Sequence, residues 1–137
     1  EGSKRIHELW PALYEKALVS QGGGYEAVES GPTWTGLKLL GYRTKSILPL
    51  VNSTKSLNRA LRRALAAKQP IVIGFPPLID RTSLGKEIGI MGSHAYALTG
   101  ATDKGYVLYN PWGTQHPKRP LTISDMRKLL AFLSIGR

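Results

Sequence analysis

The chain has 137 residues, of which 42% are hydrophobic and 20% are charged. This composition is typical of a single globular domain with a modest core, and it argues against wholesale disorder. Because the chain contains no cysteine, it can form neither a disulfide nor a thiolate metal site on its own. No apolar run approaches the roughly 18 residues of a membrane span, and the first residues lack the apolar segment of a signal peptide.

Lys and Arg outnumber Asp and Glu by 19 to 9, which gives a formal net charge of +10. A basic chain of this kind indicates an anionic partner. The basic residues are scattered, and their one dense cluster, residues 55–68, contains no aromatic side chains that could stack on bases. Nucleic acid is therefore a poor candidate for the main partner. Two alternatives stay open: a solvated helix face, and a docking face for an acidic inhibitor or immunity protein.

The N-terminal region predicts one helix and one loop. Residues 8–19 have the apolar spacing of an amphipathic helix. Pro11 is tolerated only in a first helical turn, so this helix should begin near Trp10. The glycine-rich segment 21–33 that follows is predicted to be a loop with little regular structure.

Two short elements are expected next. Residues 36–40 predict a short helix that is ended by Gly41, and the candidate caps at its start are Thr33 and Thr35. Residues 46–51 predict either a short strand or an extended arm. A proline inside this segment argues against a central position in a sheet.

A longer helix and a buried strand follow. Ser56 is the expected N-cap of a helix over residues 57–68, and this helix should end just before an apolar, β-branched strand at 70–75. The apolar residues of the helix recur at three- and four-residue spacing and predict a buried stripe. They are Leu57, Ala60, Leu61, Ala64 and Leu65.

The C-terminal half predicts an antiparallel arrangement. Residues 76–93 are interpreted as a long loop, and residues 94–101 and 105–110 flank a tight connection that indicates a β-hairpin. A Thr-x-x-Asp capping box at Thr122 predicts a final helix over 123–133. Helices come early and strands late without βαβ alternation, so the predicted fold class is α+β with an antiparallel sheet.

The hairpin suggests a functional pair. His94 begins the first strand and Asn110 ends the second, which places the two side chains opposite each other or one step apart. An imidazole that acts as a general base needs its second nitrogen held, and an Asn carbonyl does this without adding charge. This neutral arrangement suits a thiol nucleophile. Trp112 could cover the pair, although a core position is an equal alternative.

The motifs GSHAYALTGA (92–101) and YVLYNPWG (106–113) resemble the His and Asn segments of calpain-type cysteine peptidases, which have the papain-like fold. Further similarities follow in the correct order along the chain, so the whole chain 1–137 resembles the single C-terminal, His/Asn-bearing subdomain of that protease core. They are LWPALYEKA, GGYEAVESGPT, LRRALAAKQPIVIGF and LTISDMRKLLAFLSI.

The resemblance implies that His94 is the general base, Asn110 its orienter and Trp112 the shield. It also implies a polypeptide substrate that approaches Gly31 and Ser93, the latter standing where these peptidases usually have glycine. The nucleophilic Cys would lie on an upstream subdomain or a separate chain. The short basic segment after the Asn motif replaces a longer acidic one, so no calcium site is expected. The histidines are scattered, so no other metal site and no cofactor are expected either.

Several functions fit these features. The first is the His/Asn half of a calpain-like endopeptidase, within a bacterial effector or toxin that is secreted or delivered into a target cell. The second is an inactive papain-like binding module. A third interpretation makes Ser93 the nucleophile, but its side chain should point to the strand face opposite His94. Amide transfer or deamidation by the same thiol chemistry also stays open.

Overall fold

The computed structural model describes residues 33–137, so the expected helix at 8–19, most of the glycine-rich loop and Gly31 lie outside the described residues. The described elements alternate short helices with strands. In chain order they are α1 (Thr33–Leu39), β1 (Thr44–Ile47), α2 (Thr54–Ala66), β2 (Ile71–Phe75), a 3-10 turn (Ile79–Arg81), α3 (Ser83–Ile88), β3 (His94–Thr102), β4 (Gly105–Tyr109), α4 (Ile123–Lys128) and β5 (Phe132–Gly136).

The five strands form one sheet in the order β1-β5-β2-β3-β4, and each neighbouring pair is antiparallel. This confirms the predicted α+β class with an antiparallel sheet and flanking helices. β1 lies at the sheet edge, as the proline at position 49 indicated, although it begins two residues earlier than the predicted segment. The central strand β2 is almost wholly buried, which its unbroken apolar run predicted.

α1 and α2 confirm the two helices predicted within the described residues, but both begin earlier than predicted. α1 begins at Thr33 instead of residue 36, so Thr33 and Thr35 are both inside the helix and neither is its N-cap, while Gly41 follows its end with a φ of 86°. α2 starts three residues before the predicted start, because Ser53 rather than Ser56 is its N-cap and accepts a hydrogen bond from Ser56 N. Both serines have capping chemistry, and sequence alone could not choose between two positions one turn apart.

The stripe of α2 packs as predicted. Leu57, Leu61 and Ala64 are buried in the core, and Ala60 and Leu65 pack partly against it. Burying a leucine side chain contributes about 1.5–3 kcal/mol, so this one face accounts for much of the attachment of α2 to the sheet.

The segment 76–93 is not a long loop, which corrects the sequence-based interpretation. It contains the 3-10 turn and α3, whose N-cap Thr82 accepts a hydrogen bond from Gly85 N. Gly89, with a φ of 80°, ends α3 and donates to Gly85 O. The helix has only six residues, too short for its apolar period to be visible, but its cap and its terminal glycine were readable in the sequence.

The predicted final helix over 123–133 is also too long. The capping box of Thr122 and Asp125 is present as predicted, but α4 ends at Lys128. Leu130 then adopts a φ of 53°, and the chain turns into β5 between β1 and β2. The spacing of the apolar residues from 129 onward fits both a helix and a strand. The segment forms a strand because it pairs with β1 on one side and β2 on the other.

The predicted hairpin is confirmed, and it contains a bulge. At the turn Thr102 pairs with Gly105, and this register continued unchanged would pair Ala97 with Asn110. The Asn110 side chain would then lie on the sheet face opposite His94. The register shifts between Leu98 and Gly100, so Ala97 pairs with Tyr109 instead. Asn110, the next residue, therefore comes onto the face that carries His94.

Candidate active site

His94 is presented at the first residue of β3, where a left-handed backbone ends the preceding loop. Ser93 has a φ of 49°, and its backbone N–H donates to Pro76 O at 3.3 Å. His94 pairs with Phe75 of β2. Its ring stands edge-on against Tyr96, with 4.9 Å between ring centroids and 89° between ring planes. The half-buried imidazole is thus held on a rigid central strand.

Tyr96 forms the floor beneath His94. The Tyr96 side chain is fully buried, and its hydroxyl accepts a hydrogen bond from Met91 N at 3.0 Å. Burial raises the pKa of Tyr96, and the Met91 hydrogen bond opposes that rise only in part. The phenol therefore stays neutral and contributes packing rather than charge to the site.

Asn110 is fully buried, and every polar group it has is paired. Its Oδ1 lies 3.1 Å from His94 Nε2 and accepts a second hydrogen bond from Trp112 N at 3.1 Å. Its Nδ2 donates to Gln115 O at 3.2 Å, and its backbone N–H donates to His116 Nδ1 at 3.0 Å. Its backbone carbonyl accepts from Gly113 N at 2.9 Å. The segment 112–116 thus wraps around this one residue.

These contacts fix the protonation pattern of His94. Trp112 N can only donate and Gln115 O can only accept, so the amide oxygen of Asn110 must face His94. An amide oxygen has no proton to give, so the hydrogen of the 3.1 Å contact must belong to His94 Nε2. In the neutral ring Nδ1 then carries the lone pair. No group among residues 33–137 hydrogen-bonds to Nδ1, so it is free to accept a proton.

Trp112 lies over His94 but outside the core. Its ring centroid is 4.7 Å from that of His94, the two rings are tilted by 57°, and the Trp112 residue is 60% exposed. The alternative of a core tryptophan is therefore wrong. The position of the ring instead fits the predicted cover over one side of the imidazole.

The described residues bring the expected His94–Asn110 pair together but contain no thiol. The chain contains no cysteine. Ser93 Oγ forms no hydrogen bond with His94 within the part of the chain that the structure describes. Gly31, the other expected substrate contact, lies outside the described residues. Between residues 33 and 137 no group of three or more His, Asp or Glu side chains could hold a metal ion, and no helix there is long and apolar enough to cross a membrane.

Sequence reasoning missed the residues that hold Asn110. His116 is exposed beside Pro117, but its ring stacks on Tyr109 with 4.4 Å between centroids, and its Nδ1 accepts the Asn110 backbone hydrogen bond. Gln115 reaches Asn110 through a backbone carbonyl at a φ of 54°, which no side-chain pattern reveals. The one available signal was the presence of a histidine six residues after the Asn.

Comparison with known proteins identifies, over most of the chain, the same family that the sequence motifs resembled. The sequence model of the family described as calpain family cysteine protease matches residues 2–121. Human calpain-12 is 32% identical over 120 residues, which is 81% of this chain and 16% of calpain-12. Human calpain-8 is 30% identical over 124 residues, or 81% of this chain and 17% of calpain-8. The bovine calpain-1 catalytic subunit is 27% identical over 121 residues.

These matches cover only part of the relatives and only part of this chain. The chain spans only 16% to 17% of the length of these relatives. The family match also ends at Leu121, before α4 and β5, so the predicted similarity of the closing segment is not part of it. The match nevertheless includes β3, β4 and the whole His94–Asn110 cluster, and the chain belongs to the calpain family of cysteine proteases.

Proposed function

We propose that this chain is the His/Asn half of a calpain-like cysteine endopeptidase, whose thiol nucleophile is supplied by an upstream segment or a separate chain. The observation that carries the proposal is the His94–Asn110 pair. It holds one imidazole nitrogen at 3.1 Å and leaves the other open, in a chain without cysteine. On its own the chain would be inactive, because a base without a nucleophile cannot form the covalent intermediate.

The proposed chemistry follows from the tautomer of His94. Nδ1 takes the proton of the incoming thiol, and the resulting thiolate attacks the carbonyl carbon of a peptide bond. The imidazolium then gives that proton to the leaving amine, which leaves a thioester. Water, deprotonated by the same nitrogen, hydrolyses the thioester and restores the thiol. Asn110 keeps the ring oriented throughout, and a neutral orienter suffices because the thiolate–imidazolium pair balances its own charge.

The substrate of this site would be a polypeptide, with Gly31 and Ser93 beside its backbone. Two features support the Ser93 side of this cleft: the residue is exposed, and it directly precedes His94. Trp112 would exclude water from the His94–Asn110 hydrogen bond. Domain 1–137 would then act as one wall of a cleft, and the Cys-bearing subdomain would form the other. No cofactor takes part in this chemistry.

The test uses the longest natural polypeptide that contains this chain, as wild type and as His94→Ala, treated with a thiol-directed epoxide. Intact and digested masses should show one labelled upstream cysteine in the wild type. His94→Ala should reduce the labelling rate about 10²–10⁴-fold, the usual contribution of a positioned base. Lys104→Ala is the matched control, because Lys104 is exposed in the turn at the opposite end of the hairpin.

The alternative is an inactive papain-like binding module, which the absence of cysteine from the chain supports. The same labelling experiment separates the two functions. An upstream polypeptide without a reactive cysteine, or labelling that is indifferent to His94, would reject the peptidase and leave the binding module.

The proposal includes an acidic protein partner, such as an inhibitor. Arg59 and Arg63 on α2 are exposed, and together with Lys45 and Arg137 they line a surface depression that contains no acidic side chain. In the described part of the chain the ion pairs of basic side chains are those of Arg119 with Glu87 and with Asp125. A candidate partner should bind the Arg59→Glu, Arg63→Glu double variant with a slower association rate, and the difference should shrink as salt is raised.

The proposed context of this domain is an effector or toxin delivered by a bacterium. Its support is the basic composition and the short basic segment before α4. The matched relatives named above are animal calpains. The gene that encodes this chain tests the context: a bacterial gene with a secretion or delivery module would support it, and an animal calpain gene would reject it.

A further inference from the structure

We propose that His116 is a positioning residue for the His94–Asn110 pair, and that it acts only in its neutral form. The inference rests on the proposed function, because the pair that it positions is the proposed base and orienter. His116 does not touch His94. It reaches the site through Asn110, whose backbone N–H donates to His116 Nδ1 at 3.0 Å.

The geometry makes this hydrogen bond specific. Asn110 is the first residue after β4, so the sheet register no longer fixes its backbone. Its N–H is in a fully buried residue, and His116 Nδ1 is the acceptor that it meets. A buried N–H without an acceptor is costly, so the chain around Asn110 would move to find another. Such a move carries the Asn110 amide away from His94.

The His116 ring is held in place from two sides. Its centroid lies 4.4 Å from that of Tyr109, with 36° between the ring planes, and Gln115 beside it binds Asn110 Nδ2. Tyr109 is the titratable group that faces the ring from β4, and the recorded ion pairs of the described residues do not include His116. The nearest charged residue along the chain is Lys118.

The chemistry of the contact sets the required protonation state. Nδ1 accepts a hydrogen bond from a backbone N–H, so it must carry a lone pair, and the ring proton must be on Nε2. Protonation of His116 would place an Nδ1–H against the Asn110 N–H, donor against donor. Protonation of the His116 ring would therefore release Asn110. The activity would fall as a consequence.

Two substitutions separate the acceptor from the ring. His116→Phe keeps an aromatic ring against Tyr109 and removes the acceptor. His116→Asn loses the ring but keeps an oxygen near the position of Nδ1, and it cannot titrate. If the role of His116 is only to pack on Tyr109, His116→Phe should be the better tolerated of the two. The proposed role requires the opposite order.

The activity readout uses the full natural polypeptide that contains this chain. At neutral pH we expect His116→Phe to lower kcat about tenfold with little change in KM, the size of one lost positioning hydrogen bond. His116→Asn should stay within about threefold of the wild type. As the pH is lowered from about 8 to about 5, the ratio of wild-type to His116→Asn kcat/KM should fall by up to about tenfold, because residue 116 can be protonated only in the wild type, whereas His94 is present in both proteins.

The second readout does not depend on activity. Nitrogen-15 spectra of the histidine-labelled full polypeptide should show Nε2–H tautomers for both His94 and His116 at neutral pH. The hydrogen-bonded Nε2–H signal of His94 should be weakened in His116→Phe and retained in His116→Asn. If the peptidase proposal alone is wrong, no variant will be active but these spectra will keep the stated order.

Two results would overturn the inference. One is an Nδ1–H tautomer of His116, which cannot accept the Asn110 hydrogen bond. The other is a His116→Phe protein with wild-type kcat and an unchanged His94 signal. A His116→Phe protein that fails to fold leaves the His116→Asn pH ratio as the deciding measurement, and a ratio that does not vary with pH would then reject the inference.

Discussion

The chain contains two buried polar clusters that are built alike and differ at one point. Asn110 binds groups from β3 and from the segment 112–116, and Asp125 binds Arg119 and Thr122. In both clusters every buried side-chain nitrogen and oxygen of the described residues has a partner. The Asp125 cluster is closed, because its carboxylate is matched by a guanidinium and a helix cap. The Asn110 cluster ends in His94, whose Nδ1 is open.

The difference indicates which cluster does chemistry. A closed network of opposite charges fixes the start of a helix and contributes stability. A network that ends in an open, correctly oriented imidazole nitrogen fixes a base and leaves it able to react. Damage to the Asn110 cluster should therefore reduce activity and stability together, whereas damage to the Asp125 cluster should reduce stability alone.

Asn110→Ala should give the largest loss of both stability and activity. It removes a fully buried side chain together with its hydrogen bonds to His94, Trp112 N and Gln115 O at a partly buried site, so the free energy of unfolding should fall by about 3 kcal/mol. The folded fraction should also lose about 10²-fold in kcat, because His94 is no longer held in one tautomer. Urea denaturation of the chain measures the first loss, and activity per folded molecule of the full natural polypeptide that contains it measures the second, here and in the activity predictions below.

A matched control for that change is Asn52→Ala. Asn52 is half-buried, and its side chain makes one hydrogen bond, to Leu48 O at 2.8 Å. Its removal should cost at most about 1 kcal/mol and leave kcat unchanged. If Asn110→Ala lost stability but kept its kcat, then His94 would be oriented by something other than Asn110.

Gly105→Ala should disturb the Asp125 cluster and reduce stability by less than Asn110→Ala does. Gly105 has a φ of 136°, and an added Cβ would collide with Leu121 O and lie 2.7 Å from Leu121 C. Both atoms are backbone, so β4 and the segment that leads to the Thr122 cap must separate. We expect a loss of about 2 kcal/mol in the free energy of unfolding. Activity per folded molecule should stay near that of the wild type, and a drop above about tenfold would contradict the independence of the two clusters.

The two clusters also differ in how far the sequence predicted them. The capping box and the His94–Asn110 pair were both predictable, because each rests on local spacing within a helix start or a hairpin. The bulge between Leu98 and Gly100 brings Asn110 onto the correct face, and its one signal in the sequence, a glycine inside a strand, does not say which way the register shifts. His116 and Gln115 were missed because one binds a backbone N–H and the other binds through its own carbonyl.

In the fold, too, the features set by local sequence patterns were predicted, and those set by distant contacts were not. The buried stripe of α2 and the run of β2 were predicted, since both patterns repeat within one element. The placement of β5 between β1 and β2 depends on pairing between residues far apart in the chain, from Gly74 with Phe132 to Thr44 with Gly136, and local periodicity could not exclude a longer α4. The choice between Ser53 and Ser56 depended on where the chain leaves the turn before α2.

Asp125→Asn should give a moderate, pH-dependent effect. Burial acts to raise the pKa of Asp125, but hydrogen bonds from Arg119 and Thr122 outweigh it and hold the pKa below its usual value. A carboxyl with a lowered pKa adds stability above the unfolded value of about 3.9, and this stability is lost as the pH falls below that value. Arg119 is 36% exposed, so solvent screening reduces the contribution.

The measurement is the midpoint of chemical denaturation of both proteins from about pH 7 to about pH 3. At pH 7 Asp125→Asn should be less stable by about 1–2 kcal/mol, because the amide cannot pair with the guanidinium. The difference should narrow below about pH 4, as the wild-type carboxyl becomes protonated. A constant difference across the range would mean that Asp125 contributes through shape and not through charge.

Ser93→Gly should give the smallest change in stability and activity. It tests the surroundings of His94, the residue at which the Asn110 cluster is open. Ser93 holds a φ of 49° directly before His94, a conformation that costs a side-chain-bearing residue about 1–2 kcal/mol. Glycine removes that cost but gains freedom in the unfolded chain, so the net stabilisation should be about 0.5 kcal/mol. The exposed serine side chain makes no recorded hydrogen bond within residues 33–137, so kcat should change less than about twofold. A kcat loss above about tenfold would show instead that Ser93 Oγ takes part in the reaction, which would revive Ser93 as a chemical group and weaken the need for an upstream thiol.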